Sequence, residues 1–124
     1  MREIVLIIIS GIYAIIIGIG IIGLWTMLLL TEQVPELKTE PIAIKFHMTA
    51  EMIMGGLSLL SGILLLIRLS WAPYLFILAM GLVIYAVINS AGYYGQKKQG
   101  AFVLMFAIIL IATVSLVILN FLSF

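Results

Sequence analysis

The chain has 124 residues, 65% of them hydrophobic and 9% charged, with a mean hydropathy of +1.38. That excludes a water-soluble fold, in which about a quarter of residues are charged, and makes the lipid bilayer the solvent. A net charge of +1 without a basic run excludes nucleic acid as a partner, and zero cysteines exclude disulfides, thiolate metal sites and cysteine nucleophiles.

The first uncharged run, Ile4 to Thr31, exceeds the about 20 helical residues needed to cross a bilayer. It is too long for the about 7–15-residue core of a signal peptide and lacks a small-residue cleavage site. It therefore reads as a retained span over residues 4–30. Within it, GIGIIG (Gly18 to Gly23) matches the dinucleotide fingerprint letter for letter. That fingerprint requires a strand before it and a helix N-terminus at the phosphates. In the middle of an apolar helix the glycines instead read as points of close helix approach.

TEQVPELKTEP (Thr31 to Pro41) is a polar loop, with Glu32, Glu36, Lys38 and Glu40 solvated. Thr39 reads as an N-cap and Pro41 as a first-turn proline. A second span follows over residues 42–67. Only sixteen residues separate Glu51 from Arg68, which as a helix cover about 24 Å. A helix that crosses the bilayer must start near Phe46 or earlier, and Glu51 then lies inside the membrane. Ser70, Trp71 and Pro73 make a turn, with Trp71 and Tyr74 suited to the interface. The third span covers residues 72–94, GQKKQG (Gly95 to Gly100) turns the chain, and a fourth span covers residues 100–123. Short connections make sequential spans antiparallel. The expected fold is an all-α integral membrane protein: four transmembrane helices in an up-down-up-down bundle, one domain over residues 1–124.

Lys38, Lys45, Lys97 and Lys98 lie towards one side, Arg2 and Arg68 towards the other. By a small margin the positive-inside rule puts the first and third loops in the cytoplasm and both termini outside, in the cell membrane.

His47 and Glu51 are four apart and share a helix face, which continues through Gly55, Ser58 and Gly62. Small residues mark helix contacts in membranes, so this face should point into the bundle. The third span carries a comparable stripe: Gly81, Tyr85, Asn89 and Gly92 or Tyr93. Depth matching at about 1.5 Å per residue puts Asn89 level with Glu51 and Tyr93 level with His47. Thr26 or Met27, with Trp25 one position away, and Met105 reach the same level. The candidate ligand- or proton-binding layer is His47, Glu51, Asn89, Tyr93, Tyr85 and Trp25. Burial disfavours a charged carboxylate and a nearby imidazolium favours it, so the pair would titrate as a unit. Such a layer can hold a proton, a cation or a small amphiphile, and intramembrane ionisable residues are functional candidates. The alternative for Glu51 is a hydrogen bond to Asn89 or Tyr85 that only fixes helix register.

No fingerprint identifies a cofactor, and no metal site is assigned. Met27, Met48, Met52, Met54 and Met105 would suit Cu(I), but Met48 and Met52 are turned by about 100° from His47 and Glu51. Zinc or a di-iron centre needs more histidines and carboxylates. Asn120, with Thr113 and Ser115, reads as packing polarity at the opposite end of the fourth helix.

Four spans, this length, one membrane glutamate and weak topological bias resemble the small multidrug-resistance transporters in outline. That family places its essential acid in the first helix; here Glu51 is in the second. The resemblance implies a transporter; the His47–Glu51 layer suits a binding or transport protein, and because four short helices enclose little volume, transport would require a homodimer. An accessory or structural subunit of a larger membrane complex, without a site of its own, is the alternative. A membrane enzyme acting on lipid or quinone, with His47 as acid–base and Glu51 orienting it, is the third reading.

Overall fold

The computed structural model describes residues 2–96 and 98–123, and the side chains of all of these except Arg2, Tyr93 and Tyr94. The Tyr93 side chain and Lys97, both used in the reading above, lie outside the described residues. The chain is helical almost throughout: α1 (Arg2–Leu30), α2 (Glu36–Thr39), α3 (Pro41–Leu66), α4 (Ala72–Gln96) and α5 (Gly100–Leu122). Four of these are long and apolar enough to cross a membrane; α2 is one turn inside the first loop. α1 packs most extensively on α3 and α4 on α5, while α3 against α4 joins the two pairs and α1 meets α5 over a narrower contact.

Glycines bring α1 and α3 together. Ser10, Gly11, Ala14 and Gly18 on α1 are buried, as are Gly55, Ser58, Ser61 and Gly62 on α3. A Cβ added at Gly18 would stand 2.6 Å from the Gly55 carbonyl oxygen, and one at Gly62 would stand 2.6 Å from that of Gly11. The seven-residue spacing on both helices keeps these contacts on one antiparallel seam. Within GIGIIG, only Gly18 serves it; Gly20 and Gly23 would meet nothing within 4 Å.

α4 turns Ala72, Phe76, Ala79, Met80, Val83 and Val87 into the core. α5 is tied to α1 by polar groups. Asn120 Nδ2 donates to Ser10 Oγ at 2.8 Å and to the Leu116 carbonyl at 2.8 Å. Tyr13 Oη lies 2.6 Å from Thr113 Oγ1, which donates to the Ile109 carbonyl. Asn120 and Thr113 thus act in packing, while Ser115 is exposed and donates to its own Ile111 carbonyl.

The helix ends differ in one detail from expectation. The residue capping α3 is Glu40, not Thr39, which ends α2; Pro41 does occupy the first turn. The single turn of α2 takes up Thr39 and leaves Glu40 at the junction. Glu32, Arg68 and Lys98, which follow α1, α3 and α4, have φ of 56°, 61° and 59°. At the first two, the amides of Gln33 and Leu69 reach back to the carbonyls of Leu28 and Leu64, closing the helix as a left-handed cap usually made by glycine. A side chain costs about 1 kcal/mol in this conformation. Glu32→Gly is therefore expected to raise stability by about 1 kcal/mol in equilibrium unfolding; a loss would contradict the cap.

Candidate functional site

The α1–α3 seam sets the position of the site. Seven residues beyond Gly18 on α1 is Trp25, and seven before Gly55 on α3 is Met48. The register that pairs the glycines therefore carries Trp25 to the start of α3, beside His47. The indole and imidazole centroids lie 5.7 Å apart with planes at 72°, an edge-on contact. On the other side, His47 Nε2 lies 3.4 Å from Glu51 Oε1. The two side chains are 43% and 13% exposed, so the imidazole remains accessible while the carboxylate is tucked towards the seam. An imidazolium here would have both a carboxylate and an aromatic ring beside it, at 3.4 Å from Nε2 and 5.7 Å between ring centroids.

The rest of the expected layer is not assembled around this pair. Tyr85 is 73% exposed and Asn89 is also exposed, on the face of α4 opposite Phe76 and Val83. Among the described residues, neither makes a hydrogen bond, so Glu51 has no bond to either. This corrects the expected rotation of α4: Phe76, Met80, Val83 and Val87 fill the inner face, and the Gly81–Tyr85–Asn89 stripe is turned outwards. Of the α1 residues considered, Trp25 is the one that reaches His47, while Thr26 and Met27 are exposed, as is Met105 on α5.

Two hollows on the described surface are shallow and open. One is lined by Lys45, Met48, Thr49, Met52 and Ile53, the other by residues of the α4–α5 turn including Lys98 and Gln99. Neither is lined by His47, Glu51 or Asn89. Met48 and Met52 thus face the first hollow, and Met54 is in the core, so these thioethers do not converge on the imidazole. Among the described residues no three His, Cys, Asp or Glu gather in one place.

A family model, Domain of unknown function (DUF8058), matches residues 6–123, nearly the whole chain. The chain belongs to that family. No curated protein and no solved structure matches it. For this DUF8058 chain, the arrangement that brings two ionisable side chains together among the described residues is thus His47 with Glu51, beside the Trp25 ring. The buried polar contacts joining Ser10 to Asn120 and Tyr13 to Thr113 were the part that sequence reasoning half missed. Asn120 and Thr113 were visible as polar residues seven apart, a helical repeat. Ser10 and Tyr13 are three apart on α1, the spacing of one helical turn, beside Gly11.

Proposed function

We propose that this protein is a small binding protein of the cell membrane that takes up and releases a proton at His47 and Glu51, with its first and third loops cytoplasmic. The observation that supports this reading is the 3.4 Å approach of His47 Nε2 to Glu51 Oε1 beside the Trp25 ring. The pair combines the side chain best suited to change charge near neutral pH with a shielded carboxylate able to stabilise the protonated form. A proton needs neither an enclosed cavity nor a third ligand.

Trp25 provides the test. The chain has two tryptophans and one histidine, so Trp71→Phe leaves a single indole that reports on a single imidazole. In liposomes, its fluorescence is expected to fall as pH is lowered and the imidazole gains charge. His47→Phe should flatten that response while keeping the thermal unfolding temperature, and Glu51→Gln should shift its midpoint. A flat response in the Trp71→Phe protein would sink the proposal.

A further inference from the structure

All the spanning helices expose aliphatic side chains, Leu82 and Ile88 on α4 among them, but the mid-helix amide and phenol exposed on α4 have no counterpart among the described residues of α1 or α5. α1 exposes Val5, Ile8, Ile12, Ile16 and Ile19, and α5 exposes Leu104, Ile108, Ile111 and Ile118, side chains that acyl chains solvate well. α4 exposes Leu78, Gly81, Tyr85, Asn89 and Gly92 along one stripe. Tyr85 lies about 16 Å from the end of α4 at Gln96 and Asn89 about 10 Å, counting 1.5 Å per residue. The phenol is therefore near mid-membrane, and among the described residues neither polar group has a hydrogen-bond partner. Hydrocarbon offers none. Gly81 and Gly92 have no packing role inside the chain either, since a Cβ at each would meet nothing within 4 Å.

We infer that this stripe of α4 is an interface at which a second copy of the chain docks in parallel orientation about a twofold axis. Self-complementarity selects the occupant. The asparagine amide carries both donors and an acceptor, so two Asn89 side chains facing each other across a twofold can donate and accept reciprocally. Tyr85 hydroxyls can pair in the same way one turn deeper. Gly81 and Gly92 flank these groups and let the two backbones approach. Parallel orientation pairs both groups with their own copies, whereas an antiparallel pair centred on Tyr85 would set Asn89 against Gly81, and one centred on Asn89 would separate the two Tyr85 positions by about 12 Å along the helix. This interface is independent of the His47–Glu51 chemistry.

The test uses the full chain in phosphatidylcholine–phosphatidylglycerol liposomes, with subunits counted by single-molecule photobleaching as protein is diluted in lipid. Dimers are expected, and Asn89→Leu should weaken them at least about tenfold without changing thermal unfolding at dilutions where both proteins are monomeric, because the side chain is exposed on the protomer. The natural chain has no cysteine, so Leu78→Cys should form a disulfide with its own copy, whereas Ile111→Cys on α5 should not. Monomers at every dilution would overturn the inference. So would dimers indifferent to Asn89→Leu, cross-linking at Ile111→Cys in place of Leu78→Cys, or association only with a different protein.

Discussion

Gly62→Ala should destabilise the bundle by about 1–3 kcal/mol, the usual cost of forcing a methyl group into a filled space. Gly18→Ala should do the same. In an exposed helix this exchange is favourable by about 1 kcal/mol, so the sign depends on what the new Cβ meets. At Gly62 it meets the Gly11 carbonyl oxygen at 2.6 Å and the Ile15 amide nitrogen at 3.0 Å; at Gly18, the Gly55 carbonyl oxygen at 2.6 Å and the Leu59 amide nitrogen at 2.7 Å. These are backbone atoms and cannot rotate away, so relief requires α1 and α3 to move apart. Gly20→Ala and Gly56→Ala, which meet nothing within 4 Å, serve as controls and should be neutral or stabilising. Equilibrium unfolding in detergent separates the two groups. If Gly18→Ala and Gly62→Ala behave like the controls, the seam is not held by backbone contact. Because the same register places Trp25 beside His47, the destabilised variants should also lose the pH response of Trp25.

Asn120→Ala should cost about 1–2 kcal/mol, concentrated in the contact between α1 and α5. The buried amide gives one N–H to Ser10 and the other to the Leu116 carbonyl. Its removal leaves the fully buried Ser10 hydroxyl without that donor. A double-mutant cycle of Ser10→Ala with Asn120→Ala isolates the pair, with an expected coupling of about 0.6–1.7 kcal/mol. A coupling near zero would mean that Asn120 acts through its own helix only. The consequence is local because α1 and α5 touch over a narrow contact: loosening it should leave the α1–α3 seam and the Trp25–His47 contact intact. The Trp25 pH response should therefore survive Asn120→Ala while failing in Gly62→Ala.

Length and hydropathy by themselves determined four membrane spans and their alternating direction, because uncharged runs of this length have no other solvent and short loops permit no other order. They also determined which face of α3 turns inwards. Gly55, Ser58 and Gly62 recur at helical spacing, and small residues in lipid have one main use, close approach of a neighbour. Glu51 and His47 lie on the continuation of that face, so their pairing was legible too. The rotation of α4 was not. Lipid tails are as apolar as a protein core, so no hydrophobic contrast separates its inner face from its outer one. A stripe of Gly81, Tyr85 and Asn89 suits a contact inside the chain as well as one outside it. Shape decided the matter: Phe76, Met80, Val83 and Val87 are buried in the core, and the polar stripe was left facing out. The tertiary structure likewise chose Trp25 over Thr26 as the neighbour of His47, since a one-residue difference in depth is resolved only by the register of Gly18 against Gly55. What changed is the company of His47 and Glu51: an aromatic ring from α1 on the same seam, where depth alone had suggested an amide from α4.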